Sequence, residues 1–398
     1  MPRKRRPSRS RFRSPKRRAA RRGSTRPEDQ QTRLHRGLGR LRALFTDGKV
    51  DELRASTGYN PRKRKATAFR LMLVVIEACL SGQTLGFTAI RAFFVRRFGD
   101  IRPRAFQLRF KQPEAAAFFK AALDFVVQVA AKFLVTPLKG ALASFDDVHV
   151  YDGTGQRVPP RGARDPDLKG CTKGKSGSKW VVGYSLQSGI AFHALGGAES
   201  ANELKMWRRL VGHMLPNVLY LLDLGYFCKE LFRQAQRVNA HLLMRLKSKA
   251  KIRVRAAFVD GRLDTLPDWS LSYYLGVVPS RRGTMLDLDV CWGKGKTALN
   301  LRLVGMSMGG RKGWRFYLTT VGRELLSAKQ IVQSYRLRWL VEFLFREWKQ
   351  QTDLGRSATA DRDALDALTY GAMLSHALVR SLRVAAALDA DIPLEQLR

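Results

Sequence analysis

The most informative segment of the chain reads YRLRWLVEFLFREWK over residues 335–349. Its apolar residues recur at three- and four-residue spacing and predict one face of a continuous helix over residues 327–351. The opposite face carries four polar residues in one stripe: Tyr335, Arg338, Glu342 and Lys349. A carboxylate beside a phenol and two cations is typical of a metal and phosphate site. An ordinary solvent face with an Arg–Glu ion pair shows the same pattern.

Two aspartates upstream each follow a predicted β-strand. The alternating run from Val148 ends at Asp152 and Gly153, which places Asp152 at the carboxyl end of a strand. A buried strand over Val218–Leu222 is followed at once by Asp223. Two Mg²⁺ ions about 4 Å apart need hard oxygen ligands, and two strand-end aspartates with one helical acid can supply them. A lone strand-end aspartate is usually a turn or cap residue, so only the combination predicts a metal site.

These residues resemble a known family. The spacing Tyr335-x2-Arg338-x3-Glu342-x6-Lys349 resembles the Tyr–Arg–Glu–Lys signature of DDE transposases of the insertion-sequence-four family. The segments at 151–154 (YDGT) and 222–226 (LDLGY) resemble its two aspartate motifs. The wide gap between Asp223 and Glu342 resembles the β-rich insertion of that family. The resemblance covers residues 145–378 and implies an RNase H-like, retroviral-integrase-type core.

The resemblance also implies roles for the six motif residues. The metal ligands and catalytic residues would be Asp152, Asp223 and Glu342. The residues that bind DNA phosphates near the transposon end would be Tyr335, Arg338 and Lys349. The implied cofactor is a pair of Mg²⁺ ions, for which Mn²⁺ can substitute. In related enzymes a tryptophan of the insertion helps to hold a flipped base or hairpin; Trp269 and Trp292 are both candidates, and both also suit a core position.

The function implied is that of a transposase. Such an enzyme cuts transposon ends and joins them to target DNA by hydrolysis and transesterification. The implied partners are double-stranded DNA, both transposon ends and target, and a second copy of the chain in a synaptic homodimer. Two alternatives stay open: an RNase H-like nuclease that cuts without strand transfer, and a basic DNA-binding protein whose catalytic site has decayed.

Composition limits the function classes further. The chain has 398 residues, a formal net charge of +40 and 45% hydrophobic residues, which is typical of a globular protein with a polyanionic partner. No apolar run approaches the roughly 20 residues of a membrane-spanning helix. Four scattered cysteines favour neither structural zinc nor disulfides. We therefore expect no membrane partner and a reducing compartment, and the family resemblance implies a bacterial cytoplasmic, nucleoid-associated protein.

Changes in pattern along the chain predict an α/β protein with four parts. Residues 1–27, with thirteen Lys or Arg and no acid, are expected to be a disordered basic arm. Residues 28–142 have helical periodicity and are expected to form an N-terminal DNA-binding domain. Residues 143–378 are expected to be the catalytic domain, a mixed sheet flanked by helices with a β-rich insertion at about 247–312. Residues 379–398 would add a C-terminal helical segment.

Overall fold

The computed structural model describes residues 43–60, 65–82, 85–133, 137–310, 313–351 and 354–389. The predicted basic arm, residues 1–27, lies outside the described residues, as does the end of the predicted C-terminal segment. The described residues from Asp47 onward belong to one compact unit. The four predicted parts and their boundaries remain predictions.

Before the sheet, the described residues include five α-helices with defined bounds. They are α1 (Asp47–Thr57), α2 (Ala68–Leu80), α3 (Phe87–Phe98), α4 (Pro103–Gln107) and α5 (Pro113–Phe133). The helix α11 (Arg362–Asp389), late in the chain, packs against α2 and α5. Gly371 allows this close approach, because a Cβ there would lie 2.6 Å from Cγ1 of Val75. None of the described helices is both long and apolar enough to cross a membrane.

The strands form a single sheet. They are β1 (Asp147–Arg157), β2 (Gly177–Ser185), β3 (Ala191–Ala198), β4 (Val218–Leu222), β5 (His241–Arg245), β6 (Ile252–Val259), β7 (Arg262–Ser270), β8 (Met285–Trp292), β9 (Leu299–Ser307) and β10 (Trp314–Thr319). Their order is β3-β2-β1-β4-β5-β10-β9-β8-β6-β7. The β1–β4 and β4–β5 pairs are parallel, and every other pair is antiparallel.

The first five strands are the RNase H-like part of the sheet. β1, β2 and β3 form an antiparallel meander, and β4 and β5 then lie parallel to β1. Two helices, α6 (Glu203–Val211) and α7 (Lys229–Arg237), make the crossovers that parallel strands require. The predicted fold class, an α/β protein with an RNase H-like mixed sheet, is confirmed by this arrangement.

The region predicted as a β-rich insertion contributes strands to the same sheet. β6, β7, β8 and β9 join it through β10, which pairs with β5 on one side and β9 on the other. A short helix, α8 (Leu271–Val277), packs on β6 and β7. We call β6–β10 the sheet extension. It covers the edge that β5 would otherwise expose, so β5 is a central strand.

The predicted strand end at Gly153 is wrong. β1 continues to Arg157, because β2 pairs with it over that whole length, from His149↔Ser185 to Arg157↔Gly177. Pairing with a neighbour therefore outweighs the preference of glycine for turns. Only the parallel pairing of β1 with β4 ends near this point, at Tyr151↔Leu222.

The predicted continuous helix over 327–351 is also wrong. It is divided into α9 (Ala328–Tyr335) and α10 (Trp339–Gln351) by a 3₁₀ turn over Arg336–Arg338. A 3₁₀ turn has about 3.0 residues per turn, so it rotates α10 relative to α9. Side chains on either side of the turn can then contact different strands. α9 begins at a capping box in which Ser327 and Gln330 bond to each other's backbone N–H groups.

Candidate active site

The register of β1 and β4 places the two motif aspartates side by side. Tyr151 is paired with Leu222, so Asp152 and Asp223 follow at neighbouring positions where the parallel pairing ends. Side chains alternate along a strand, and Tyr151 packs into the core against Tyr220 on the opposite face. The two aspartates therefore share the other face, on which α10 packs against β1.

Arg338 lies among the three predicted metal ligands. Its Nη1 is 3.0 Å from Oδ2 of Asp152, and its Nη2 is 2.7 Å from Oε1 of Glu342. Its Nε is 3.9 Å from Oδ1 of Asp223. The guanidinium side chain is 13% exposed, whereas those of Asp223 and Glu342 are 42% and 32% exposed. The structure thus brings together three acids from a strand, a strand end and a helix.

The charge at this cluster is unbalanced. Burial raises the pKa of Asp152 to about 6, and the charges of Asp223 and Glu203 add to this effect. The backbone N–H of Gly153, which donates to Oδ1 of Asp152 at 2.8 Å, and the charge of Arg338 oppose it. One guanidinium cannot neutralise three carboxylates, so the cluster attracts further cations.

The donor set has the chemistry that Mg²⁺ requires. All three acids offer hard carboxylate oxygens, and two of them are partly open to solvent. Within the described ranges, no three His, Cys, Asp or Glu side chains already stand in the arrangement of a metal site. Arg338 lies between the acids instead. The residues therefore fit the group chemically, while the guanidinium provides the positive charge at their centre.

Tyr335 contacts the end of β4, next to the acids. Its hydroxyl donates to the backbone carbonyl of Leu222 at 3.2 Å, and its ring packs against Tyr317 with centroids 5.2 Å apart. Leu222 immediately precedes Asp223, so the phenol holds the end of β4 where this aspartate begins. Burial raises the pKa of Tyr335 above its usual range. Its contact with a DNA phosphate remains a prediction.

Lys349 lies apart from the acids. It is exposed, about two helical turns beyond Glu342 on α10, and its side chain lies next to Gly355. This exposed position suits contact with a backbone phosphate away from the carboxylates. This role, too, remains a prediction.

The two candidate tryptophans both lie in aromatic clusters of the protein. Trp292 packs against Phe227 with ring centroids 4.8 Å apart, and Nζ of Lys229 lies 5.6 Å from its ring. Trp269 packs against Tyr273 at 5.1 Å. Both are partly buried against the core. Neither arrangement selects one of them for a role at a DNA end.

Sequence reasoning missed one acid beside the cluster. Glu203 is the first residue of α6, and a Cβ added to Gly153 would lie 2.9 Å from its carboxyl carbon. Its Oε1 is 3.2 Å from Nζ of Lys179. In the sequence it reads as an ordinary acid in a first helical turn after the cap residue Asn202. The only local signal is the glycine that follows Asp152.

The family follows from a match over the same part of the chain. Residues 143–378 match the family model described as the transposase DDE domain. The chain belongs to this family of DDE transposases. The match includes all six motif residues and agrees with the resemblance carried by their spacing.

Curated relatives of this transposase are transposases of IS231 elements from Bacillus thuringiensis. The IS231F transposase of subspecies israelensis is 21% identical over 59% of this chain, which spans 56% of that relative's length. The IS231C transposase of subspecies berliner and the IS231D transposase of subspecies finitimus are 20% and 22% identical, each over 83% of this chain and 76% of the relative. They are consistent with placement in the insertion-sequence-four family.

A solved structure is also similar. It is a cryo-EM structure of a piggyBac transposase synaptic complex with hairpin DNA, with a TM-score of 0.47 and 14% identity. The match covers 88% of this transposase and 74% of the other chain.

Proposed function

We propose that this transposase cuts DNA at transposon ends and joins the ends to target DNA, with Asp152, Asp223 and Glu342 as ligands of two Mg²⁺ ions. The observation that supports this proposal is the convergence of the three acids around Arg338, at 3.0, 3.9 and 2.7 Å. The paired strands β1 and β4, the 3₁₀ turn that carries Arg338 and the helix α10 that carries Glu342 bring them together. Mn²⁺, with the same preference for oxygen ligands, can substitute.

Each residue of the cluster has a distinct task in this proposal. Bound divalent ions supply activation of the attacking hydroxyl and stabilisation of the leaving oxygen. Asp152 is held by the pairing of β1 with β2, which continues past it, and follows the last pair between β1 and β4, Tyr151↔Leu222. Glu342 is carried by α10, and its side chain is 32% exposed. Tyr335 keeps the end of β4 in place through its bond to Leu222.

Arg338 has two tasks. In the structure it compensates part of the charge of the three acids. Its planar group of donors also matches phosphate oxygens, which would compete with the carboxylates for it when DNA enters. Lys349 would bind a second DNA phosphate further along α10. Tyr335 would contact a phosphate of the DNA strand near the end of β4.

The charge of the chain favours the proposed partner. A formal net charge of +40 suits a double-stranded DNA of two transposon ends and a target. Strand transfer of two ends requires both to be held together, so we propose a homodimer in a synaptic complex. A location in the bacterial cytoplasm at the nucleoid follows from that partner.

The test separates joining from cutting. The full chain is incubated with Mg²⁺, pre-cut transposon ends and a target plasmid, and products are resolved on a gel. Joined products support the proposal; hydrolysis alone would show the nuclease, and end binding without any reaction would show a decayed binding protein. Glu342→Gln should reduce joining by about 1000-fold, because several kcal/mol of charge stabilisation is lost, and keep end binding.

A matched control lies on the same helix. Glu347 is a glutamate of α10 that pairs with His376 at 3.1 Å, outside the cluster. Glu347→Gln should leave joining within about twofold of the unchanged protein. Equal losses in the two variants would exclude a specific role for Glu342.

A further inference from the structure

A fourth carboxylate lies over the backbone beside both motif aspartates. A Cβ on Gly153 would be 2.9 Å from Oε1 of Glu203, and a Cβ on Gly225 would be 3.5 Å from its Oε2. Gly153 follows Asp152, and Gly225 is two residues after Asp223. The close approach explains the glycine at position 153, because any side chain there would displace the carboxylate.

The residue after Gly225 carries a buried hydroxyl. Tyr226 is fully buried, and its hydroxyl has no hydrogen-bond partner in the part of the chain that the structure describes. Burial raises the pKa of Tyr226 above its usual range, and the charges of Glu203, Asp152 and Asp223 raise it further. The geometric link is Gly225, the residue before Tyr226, over which the Glu203 carboxylate lies. A buried hydroxyl without a partner costs about 1–3 kcal/mol, so a polar group bound beside this residue would stabilise it.

We propose that Glu203 is a fourth carboxylate ligand of the divalent cations, acting beside Asp152 and Asp223. The proposal rests on the proposed metal-dependent function. Two positive groups face four carboxylates here. Arg338 lies 2.7–3.9 Å from the three acids of the cluster, and Lys179 lies 3.2 Å from Glu203. The remaining negative charge favours divalent cations.

Two simpler roles for Glu203 predict different behaviour. An acid in the first turn stabilises a helix by about 0.3–1 kcal/mol, and its loss would lower only the stability of α6. A residue that only holds Lys179 in place would act through that lysine. A metal ligand, in contrast, changes metal affinity directly and competes with Lys179 for the same carboxylate.

The test measures metal binding by the full-length, metal-free protein. Free Mn²⁺ is followed by electron paramagnetic resonance as protein is added. Glu203→Gln, which keeps the side-chain volume over Gly153, should weaken Mn²⁺ binding about tenfold or more. Glu199→Gln is the matched control, because Glu199 lies four residues earlier and accepts from the backbone N–H of Cys171 at 3.3 Å. It should bind Mn²⁺ as the unchanged protein does.

Asp223→Asn separates the two proposals. If Asp223→Asn weakens Mn²⁺ binding and Glu203→Gln does not, the role of Glu203 is overturned and the proposed function stands. If the unchanged protein binds no Mn²⁺, the metal-dependent function itself is overturned. Melting temperatures without metal identify any variant that is merely misfolded, and Glu203→Asp then serves as the second variant, expected to bind between the unchanged protein and Glu203→Gln.

Lys179→Met should change the affinity for Mn²⁺ in the opposite direction to Glu203→Gln, or leave it unchanged. Removing the lysine frees Glu203, so Mn²⁺ should bind as tightly as before or more tightly. Weakening by the same factor as in Glu203→Gln would show that Glu203 acts only through Lys179, and the proposal would be wrong.

Discussion

Two arginines, Arg302 in the sheet extension and Arg338 at the RNase H-like core, are each surrounded by oxygen acceptors. Arg302 binds both carboxylate oxygens of Asp287, at 2.9 and 2.7 Å, and its Nη1 donates to the carbonyl oxygens of Gly322 and Leu326 at 3.0 and 2.7 Å. It is 6% exposed. Arg338 instead faces three separate carboxylates.

The difference lies in charge balance. Two acids face two arginines here, since Arg323 lies 3.0 Å from Asp287 and 2.7 Å from Asp289, and backbone carbonyls accept from Nη1 of Arg302. The charges of that cluster are therefore balanced within the protein. The cluster around Arg338 has an excess of negative charge and two partly exposed acids. The first arrangement stabilises the fold, and the second is suited to binding a cation.

The largest effect is expected when the guanidinium of each arginine is removed. Arg302→Met should lower the free energy of unfolding by about 3–5 kcal/mol, because it leaves buried Asp287 and several carbonyls without their donor. Arg338→Met should change it by less than about 1 kcal/mol in Mg²⁺, because the cation replaces the lost charge. Urea denaturation followed by circular dichroism gives both values. Similar losses for the two variants would remove the distinction between the clusters.

A second test uses pH. The pKa of Asp152 is raised to about 6, so its carboxyl holds a proton below that pH and a metal must displace it. Mn²⁺ affinity should be highest above pH 6 and approach a tenfold loss per pH unit below it. Titrations at pH 7, 6 and 5 measure this. The same affinity at pH 7 and pH 5 would mean that Asp152 is not a ligand.

The smallest effect concerns the glycine beside Asp152. In Gly153→Ala the new methyl group would displace the Glu203 carboxylate, and we expect Mn²⁺ binding to weaken by about threefold to tenfold. The double variant with Glu203→Gln should be no weaker than Glu203→Gln alone, since both changes act on one contact.

Gly155→Ala is the control for that glycine. It lies two residues further along β1, and a Cβ there would be 3.9 Å from the nearest side-chain oxygen, that of Glu199. It should leave Mn²⁺ binding unchanged. Additive effects of Gly153→Ala and Glu203→Gln would show that the two residues act separately.

Several elements of the fold could be predicted from the sequence to the residue. The strands Val218–Leu222 and Met285–Trp292 match the prediction, because a short apolar run is buried wherever the sheet places it. The end of β1 and the 3₁₀ turn over Arg336–Arg338 could not be predicted. The end of β1 depends on its pairing with β2, and the 3₁₀ turn depends on its contacts with β1 and β4.

The amino-acid sequence alone identified the candidate residues for the proposed chemistry. The spacing from Tyr335 to Lys349, the two aspartate motifs and the excess of basic residues are local patterns, and each depends on residues near one another in the chain. The tertiary structure alone decided that Arg338 joins the acids, that the extension continues the sheet beyond β5, and that Glu203 lies over Gly153. These are distances between residues far apart in the chain, and such distances are set by strand register and helix packing.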